Sequence, residues 1–221
     1  MHLEILVEDL SGKKALEELV PKLLNAGDTF HIHSYKGIGR IPKNMRDSKD
    51  PSLRILLDNL PKLLKGYGRT FEGYPPATPA AVVLVCDLDN KSLVGFLGDL
   101  NEILRGCNPA PNTSFCIAIE EGEAWFLGDI PAIRSAYPNA NRQILDDYVQ
   151  DSICGTWETL ANAVYHGGAR ALSARGWQAV GAEKFRWAEN IAPGMNIDDN
   201  KSPSFSFFRD TVRALVNDNQ Q

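Results

Sequence analysis

The sequence contains no apolar stretch near the roughly 20 residues that a helix needs to cross a bilayer. Its N-terminus leads into a strand pattern and then a charged helix pattern, so we expect no signal peptide. The four cysteines, Cys86, Cys107, Cys116 and Cys154, form no CxxC pair and show no zinc spacing. Two of them, Cys86 and Cys116, lie in apolar runs, as small core residues do. We therefore expect reduced thiols, a cytoplasmic location and no membrane association.

The chain also lacks a basic excess and a nucleotide-binding phosphate loop. Its formal net charge is −5 over 221 residues, so no global field attracts nucleic acid, although a local basic face or a basic partner subunit would still do so. No GxxxxGK[ST] sequence is present, so any nucleotide hydrolysis belongs to a partner. Hydrophobic residues make up 43% of the chain, which is typical of a globular protein able to bury a sizeable core.

Short apolar runs alternate with segments of helical periodicity in the first 130 residues. The patterns predict strands at 3–8, 29–35, 81–86 and 114–119, with helices between them. Such an alternation predicts an α/β fold with a mostly parallel four-stranded sheet flanked by helices. Right-handed crossovers then put all four strand ends on one side of the sheet.

Prolines are expected to interrupt two of the helices. Pro21 should kink or split the helix that follows strand one. Asp50 and Pro51 have the pattern of an N-cap and a first helical residue. The helix that they begin should kink at Pro61 near its end, before a loop at 66–79.

The character of the chain changes at about residue 131. Strand patterns vanish there, and short amphipathic helices separated by Gly, Pro and polar turns take over. We therefore divide the chain into an α/β domain, 1–130, and a helical extension, 131–221, that packs on the core.

Acidic residues follow two of the predicted strands. Glu8 comes after strand one, and Asp87 and Asp89 come after strand three. Ligands of an open parallel sheet bind outside the carboxyl ends of its strands, so we expect these carboxylates to converge. Like charges a few ångströms apart cannot all stay ionised unaided, and hard oxygen ligands select Mg²⁺ or Mn²⁺. The sequence therefore predicts a divalent-metal site at the sheet edge.

A glutamate after strand one and an Asp-x-Asp after a later strand resemble the TOPRIM signature. TOPRIM domains, which have a Rossmann-like sheet, occur in topoisomerases, primases, recombination mediators and the overcoming-lysogenization-defect nucleases. The resemblance implies that Glu8, Asp87 and Asp89 hold Mg²⁺ for phosphodiester chemistry.

Further motifs narrow the resemblance to a bacterial TOPRIM-like family with no assigned biochemical activity. Its members are often encoded beside an ABC-type ATPase and are suspected of roles in phage defence. The resemblance thus implies an ABC/AAA-type ATPase partner, with oligomerisation possible through it, and a DNA or RNA substrate. The matching residues are Glu123, Trp125, Leu127 and Asp129, followed by Lys184, Trp187, Ala188 and the Ser202-Pro203-Ser204-Phe205 segment with Phe208.

A catalytic scheme follows from this resemblance. A metal ion held by Glu8, Asp87 and Asp89 would neutralise the scissile phosphate and polarise a bound water. Glu123 either completes the coordination or accepts the proton of that water. Lys184 would balance the charge that develops in the transition state.

The chain departs from many TOPRIM nucleases, which carry a second acid four residues after the first glutamate. Gly12 stands at that position, so ligands for a second ion would have to come from Glu123 or Asp129. The departure favours an alternative function, a non-catalytic interaction subunit of an ATPase complex. A second alternative is a small-molecule phosphatase, although Asn90 does not continue the Asp-x-Asp motif in the usual way.

Other acidic residues have competing interpretations. Glu120 and Glu121 are more typical of a solvated turn than of a site. Asp129 is as typical of an N-cap for a helix starting at Pro131 as of a metal ligand.

Histidines and a basic loop complete the candidates. His31 and His33 share one face of a strand, but they lie too far from its acidic end to be obvious ligands. The loop at 36–46 contains Gly37, Gly39 and four basic residues, and is the best local basic patch. A flexible solvated loop explains it better than a phosphate site does.

Overall fold

The computed structural model describes residues 1–41 and 55–217. These residues form an α/β fold around a four-stranded, all-parallel sheet with the order β2-β1-β3-β4. The predicted fold class is therefore confirmed, with every strand pair parallel. The strands are β1 (His2–Val7), β2 (Thr29–Ser34), β3 (Ala80–Asp87) and β4 (Thr113–Ala118).

Helices cover both faces of the sheet. One face packs against α2 and α3, and the other packs against the remaining helices. Short 3₁₀ turns at Val20–Lys22 and Ala192–Gly194 follow α1 and α9. The helices are α1 (Leu10–Leu19), α2 (Leu56–Glu72), α3 (Leu93–Arg105), α4 (Glu123–Leu127), α5 (Ile130–Ala136), α6 (Arg142–Asp146), α7 (Thr156–Val164), α8 (Gly168–Ser173), α9 (Trp177–Ile191) and α10 (Pro203–Asn217).

Strands β1, β3 and β4 each contribute to two hydrophobic clusters, one on either face of the sheet. In β1, Leu3, Ile5 and Val7 belong to the cluster on the α1 side, and Leu6 belongs to the cluster on the α2 side. Side chains alternate between the faces of a strand, so a sheet covered on both faces requires apolar residues at nearly every position. This requirement explains the near-continuous apolar runs of the sequence.

Pro21 splits its helix, as predicted. Helix α1 ends at Leu19, and Pro21 lies in the 3₁₀ turn that follows. The prolyl ring cannot donate the hydrogen bond that a further α-helical turn would need. The predicted second helix start, Asp50 and Pro51, lies outside the described residues.

The predicted end of the second helix is wrong. Helix α2 continues past Pro61 to Glu72, through much of the expected loop. Tyr67 and Phe71 extend the apolar stripe beyond Leu64 at spacings of three and four, and they pack against the α2-side cluster. Gly68 allows this close packing, since a Cβ there would lie 2.1 Å from the carbonyl oxygen of Pro109.

The helices after residue 130 share a core with the sheet. Buried residues of α9 and α10, including Trp187, Phe205 and Phe208, belong to the same cluster as Leu3 and Ile5 of β1. Within residues 1–41 and 55–217, no helix has the length and apolar character to span a membrane.

Substitutions in α10 test this shared core. Phe208 is fully buried and stacks on Trp125 with ring centroids 5.0 Å apart, whereas its neighbour Phe207 is 58% exposed. Phe208→Ala should lower the free energy of unfolding by about 3–5 kcal/mol. Phe207→Ala, the matched control, should change it by less than about 0.5 kcal/mol. Urea unfolding followed by tryptophan fluorescence measures both, and equal effects would contradict the packing.

Candidate functional site

A cleft lies at the carboxyl edge of the sheet. It is bounded by the ends of β1 and β3, the start of α1, helix α4 and one side chain of α9. Four of the predicted site residues line it together: Glu8, Asp87, Glu123 and Lys184. The convergence follows from the fold, because parallel strands bring their carboxyl ends to one edge.

Glu8 and Asp87 are neighbours because β1 pairs with β3 in parallel. The register sets Val7 beside Val85, so that the Glu8 carboxylate accepts a hydrogen bond from the backbone N–H of Asp87. Glu8 Oε2 is buried and has no hydrogen-bond partner in the described part of the chain. A buried carboxylate oxygen without a partner is costly and indicates that a proton or a cation belongs there.

Burial and neighbouring charges shift the titration of both carboxyls. Burial, together with the charges of Asp89 and Asp9, raises the pKa of Glu8 to about 7. Burial also raises the pKa of Asp87 well above its usual value, and the charge of Glu8 adds to this effect. The edge of the sheet therefore holds protons that ordinary carboxylates would lose at neutral pH.

Lys184 brings one positive charge from α9 into the acidic cluster. Its Nζ lies 3.0 Å from Glu123 Oε2 and 3.5 Å from Glu121 Oε1. Burial opposes the charge of this ammonium, but Glu123, Glu121 and Asp87 outweigh burial and raise its pKa above the ordinary value. Lys184 is thus a permanent counter-ion of the cluster.

The carboxyls outnumber this counter-ion. Glu8, Asp87, Glu121 and Glu123 all influence the electrostatics around Lys184, so four charges would face one ammonium if every group were ionised. Burial raises the pKa of Glu121 to about 7, even though Lys184 acts in the opposite direction. A divalent cation would relieve the same imbalance without protonation.

Asp89 is not brought into the cleft. Its backbone is left-handed, with φ of 51°, and its carboxylate pairs with Lys91 at 2.7 Å. Leu88, between the two aspartates, is buried in the opposite cluster. Asp89 still contributes a negative charge that raises the pKa of Glu8, but it does not line the cleft with Asp87.

The carboxylates of the cleft are not preassembled around an ion. In residues 1–41 and 55–217, one group of three potential ligand side chains has its ligand atoms within 4.8 Å of one another. This group is His2, Glu4 and His31, and it lies outside the cleft. The ion pair of Lys184 with Glu123 keeps that carboxylate engaged. Binding a divalent ion in the cleft therefore requires the side chains to move closer together.

Gly12 has a steric reason to lack an acidic side chain. Its N–H donates to Asp9 Oδ1 at 2.7 Å, and Asp9 is the N-cap of α1. A Cβ at position 12 would lie 2.6 Å from Val7 Cγ2. A side chain at position 12 would therefore clash with Val7, and this packing at the start of α1 explains why the second acid is absent.

The interpretation of Glu120 and Glu121 as a solvated turn is wrong. The Glu120 carboxylate accepts hydrogen bonds from the backbone N–H groups of Cys154, Gly155 and Thr156, at the start of α7. Burial opposes its ionisation, but these bonds and the Thr156 hydroxyl lower its pKa. The sequence gives no signal for this contact, because its partners lie more than 30 residues away.

Asp129 is the N-cap of α5, which is the first of its two predicted roles, the other being a metal ligand. Its Oδ1 accepts the N–H of Ala132 at 3.0 Å in the first turn of α5. Its Oδ2 accepts the N–H of Asn196 at 2.6 Å. Both oxygens are therefore used in joining α5 to the segment after α9.

The basic loop is described only in part. Gly37 donates its N–H to the carbonyl oxygen of Glu8, and the N–H of Arg40 donates to Asp58. Hydrogen bonds thus tie the described part of this loop to β1 and α2. Lys43 and Arg46 lie outside the described residues.

The titration of Glu8 predicts how stability depends on pH. Its folded-state pKa of about 7 exceeds the ordinary 4.5, so its contribution is complete below pH 4.5 and is lost as the pH rises to about 7. The free energy of unfolding should fall across this interval by roughly 1–3 kcal/mol because of Glu8. Glu8→Gln should flatten the profile, although Asp87 and Glu121 retain part of the slope.

Chemical unfolding at a series of pH values checks this prediction. Glu17→Gln is the control, since the Glu17 side chain is 45% exposed on α1 and pairs with Lys13 at 3.7 Å. The control should keep the wild-type profile. A Glu8→Gln profile as steep as that of the wild type would contradict the assignment.

A scan against protein-family models found no match for this chain, and searches of the curated proteins and of the solved structures found none either. Function therefore has to be inferred from the geometry of the site. That geometry is a cleft at the carboxyl edge of a parallel sheet, where one buried and three half-buried carboxyls outnumber their counter-ion.

Proposed function

We propose that this chain is a divalent-metal-dependent nuclease of TOPRIM type, which hydrolyses phosphodiester bonds of DNA or RNA. The observation that carries the proposal is Glu8 Oε2, a buried oxygen with no partner among the described residues, in one cleft with Asp87 and Glu123. An excess of carboxyls over cations, with three half-buried carboxyls whose pKa values are raised, is what a site for Mg²⁺ or Mn²⁺ requires before the ion binds.

Glu8 and Asp87 would hold the ion, and Glu123 is within the same cleft to complete the set. A divalent ion bound there would neutralise charge on a phosphate and lower the pKa of a bound water. The residues of the chain supply the other functions of the site. Trp125 and Phe126 line the cleft on its apolar side and limit the access of bulk water.

Lys184 is the cationic side chain lining the cleft in the described part of the chain. Its ammonium can donate hydrogen bonds to a phosphate oxygen and stabilise the charge of the transition state. Glu121 acts on it as a positioning residue, since Glu121 accepts the N–H of Trp157 with one oxygen and faces Lys184 with the other. These contacts hold the Lys184 ammonium, on α9, against the segment that leads into α4.

The acidity of the chain favours a partner. The net charge is −5, and the cleft itself is acidic, so the chain alone attracts a nucleic acid weakly. We propose an ABC/AAA-type ATPase subunit that supplies the grip on nucleic acid and controls access, in a cytoplasmic role in phage defence. The four free cysteines fit a reducing compartment.

A second candidate function is a non-catalytic subunit of the same ATPase complex. The observation that favours it is the ion pair of Lys184 with Glu123, which already compensates part of the acidic cluster. In that case the ammonium would be a permanent structural substitute for a metal ion. The two functions differ in whether a divalent ion enters the cleft and whether a phosphodiester is cleaved.

Cleavage assays test the nuclease. The protein, alone and with an ABC/AAA-type ATPase subunit, is incubated with plasmid DNA, single-stranded DNA and tRNA in Mg²⁺ or Mn²⁺, and in EDTA. Cleavage should require the metal and fall on the order of 10²–10⁴-fold in Glu8→Gln and in Asp87→Asn, which remove ligands. Asp99→Asn, at an exposed position of α3, should cleave like the wild type. Absence of metal-dependent cleavage on every substrate with folded protein would favour the non-catalytic subunit.

Removing the ammonium tests whether a cation can take its place. Lys184→Met leaves buried carboxylates without their partner and should destabilise the fold by about 3–5 kcal/mol. Mg²⁺ should restore more stability to Lys184→Met than to the wild type, because the cleft then holds a larger excess of negative charge. Thermal unfolding with and without Mg²⁺ measures the difference.

The matched control is Lys13→Met, which removes a half-buried lysine of α1 that pairs with Glu17 outside the cleft. It should change neither the stability by more than about 0.5 kcal/mol nor the response to Mg²⁺. If Mg²⁺ stabilises Lys184→Met no more than this control, the cleft is an ammonium site only.

A further inference from the structure

Three histidines gather around one buried glutamate on the α2 side of the sheet. His2 and Glu4 lie on β1, and His31 and His33 lie on β2, which pairs Glu4 with His31. Glu4 is four residues before Glu8, about 13 Å along the strand. The cluster is therefore separate from the acidic cleft, and the proposed nuclease does not use it.

The contacts converge on the Glu4 carboxylate, whose side chain is 12% exposed. His2 Nε2 lies 3.1 Å from Oε1, and His31 Nδ1 lies 3.6 Å from the same oxygen. His33 Nε2 lies 2.6 Å from Oε2, and the hydroxyl of Tyr67 donates to Oε2 at 3.4 Å. The ligand atoms of His2, Glu4 and His31 all lie within 4.8 Å of one another.

The contact of His2 with Thr29 indicates what lies between the His2 ring and the Glu4 carboxylate. His2 Nδ1 lies 2.7 Å from Thr29 Oγ1. When Nδ1–H donates to that hydroxyl, the neutral ring presents the lone pair of Nε2 to the Glu4 carboxylate. Two lone pairs facing each other need a cation between them, and a second hydrogen bond that fixes the ring is the usual surrounding of a metal-bound histidine.

We propose that His2, Glu4 and His31 bind one Zn²⁺-class transition-metal ion, with Thr29 fixing the His2 ring and Tyr67 orienting Glu4. Two imidazoles and one carboxylate are the donors that Zn²⁺ and its neighbours select over Mg²⁺. The His31 side chain is 70% exposed, so the ion reaches the site from solvent and keeps an open coordination position. His33 stays hydrogen-bonded to the second oxygen of Glu4.

Titration of the whole chain with Zn²⁺, and with Co²⁺ as a spectroscopic probe, tests this site. We expect one equivalent of Zn²⁺ and a Co²⁺ visible spectrum with histidine ligation. His31→Gln should abolish both, and its exposed position leaves the fold intact by circular dichroism. Thr29→Val, which removes only the outer hydrogen bond, should weaken binding by about 10- to 100-fold.

Two controls locate the ion. His166→Gln removes the remaining histidine, exposed in the turn before α8, and should bind Zn²⁺ like the wild type. The double variant Glu8→Gln, Asp87→Asn should also retain this equivalent, so the result does not depend on the acidic cleft. Undiminished binding in His31→Gln, or loss of the ion in the cleft variant, would overturn the proposal. Failure of wild-type protein to bind Zn²⁺ would leave the cluster as histidines in polar contact with Glu4 and would equally overturn it.

Discussion

The arrangement of the sheet edge depends on the ion pairs that the Lys184 ammonium makes with Glu121 and Glu123. The ammonium joins α9 to Glu121 and Glu123, just beyond β4, and its charge reaches Asp87 at the end of β3. Without a cation there, several carboxyls would be buried with charges of one sign, and the helical layer would repel the sheet edge. The position of the C-terminal helices is thus coupled to the chemistry of the cleft.

The sheet and half of the cleft could be predicted from local pattern. Apolar runs predicted the strands. Because the carboxyl ends of parallel strands meet at one edge of the sheet, the sequence also predicted that Glu8 and Asp87 lie close together. The length of α2 was missed because Tyr67 and Phe71 continue its stripe within a Gly-rich segment. Burial of those rings outweighs the helix cost of the glycines, a balance that the sequence does not display.

Contacts between distant segments account for the features that local sequence patterns did not reveal. Glu120 was expected to be solvated, yet its partners begin α7, more than 30 residues further on. His31 and His33 were judged by their distance from the acidic end of their own strand. The relevant neighbour is Glu4 on the adjacent strand, and only the register of β1 and β2 reveals it. Strand register depends on the packing of the whole sheet, so local spacing cannot supply it.

The two candidate cation sites differ in how their carboxyls titrate: the pKa values of Glu8 and Asp87 in the cleft are raised, and the pKa of Glu4 is lowered. In the cleft, a resident ammonium and raised carboxyl pKa values keep the site compact without a metal ion. At Glu4, burial opposes ionisation, but the hydrogen bond from His33 and the nearby His2 keep the pKa below its ordinary value. Carboxyls that hold protons must release them before a metal ion binds, so binding in the cleft is coupled to pH. The affinity of the cleft for a divalent ion would therefore depend both on pH and on the ion pairs of Lys184 with Glu121 and Glu123.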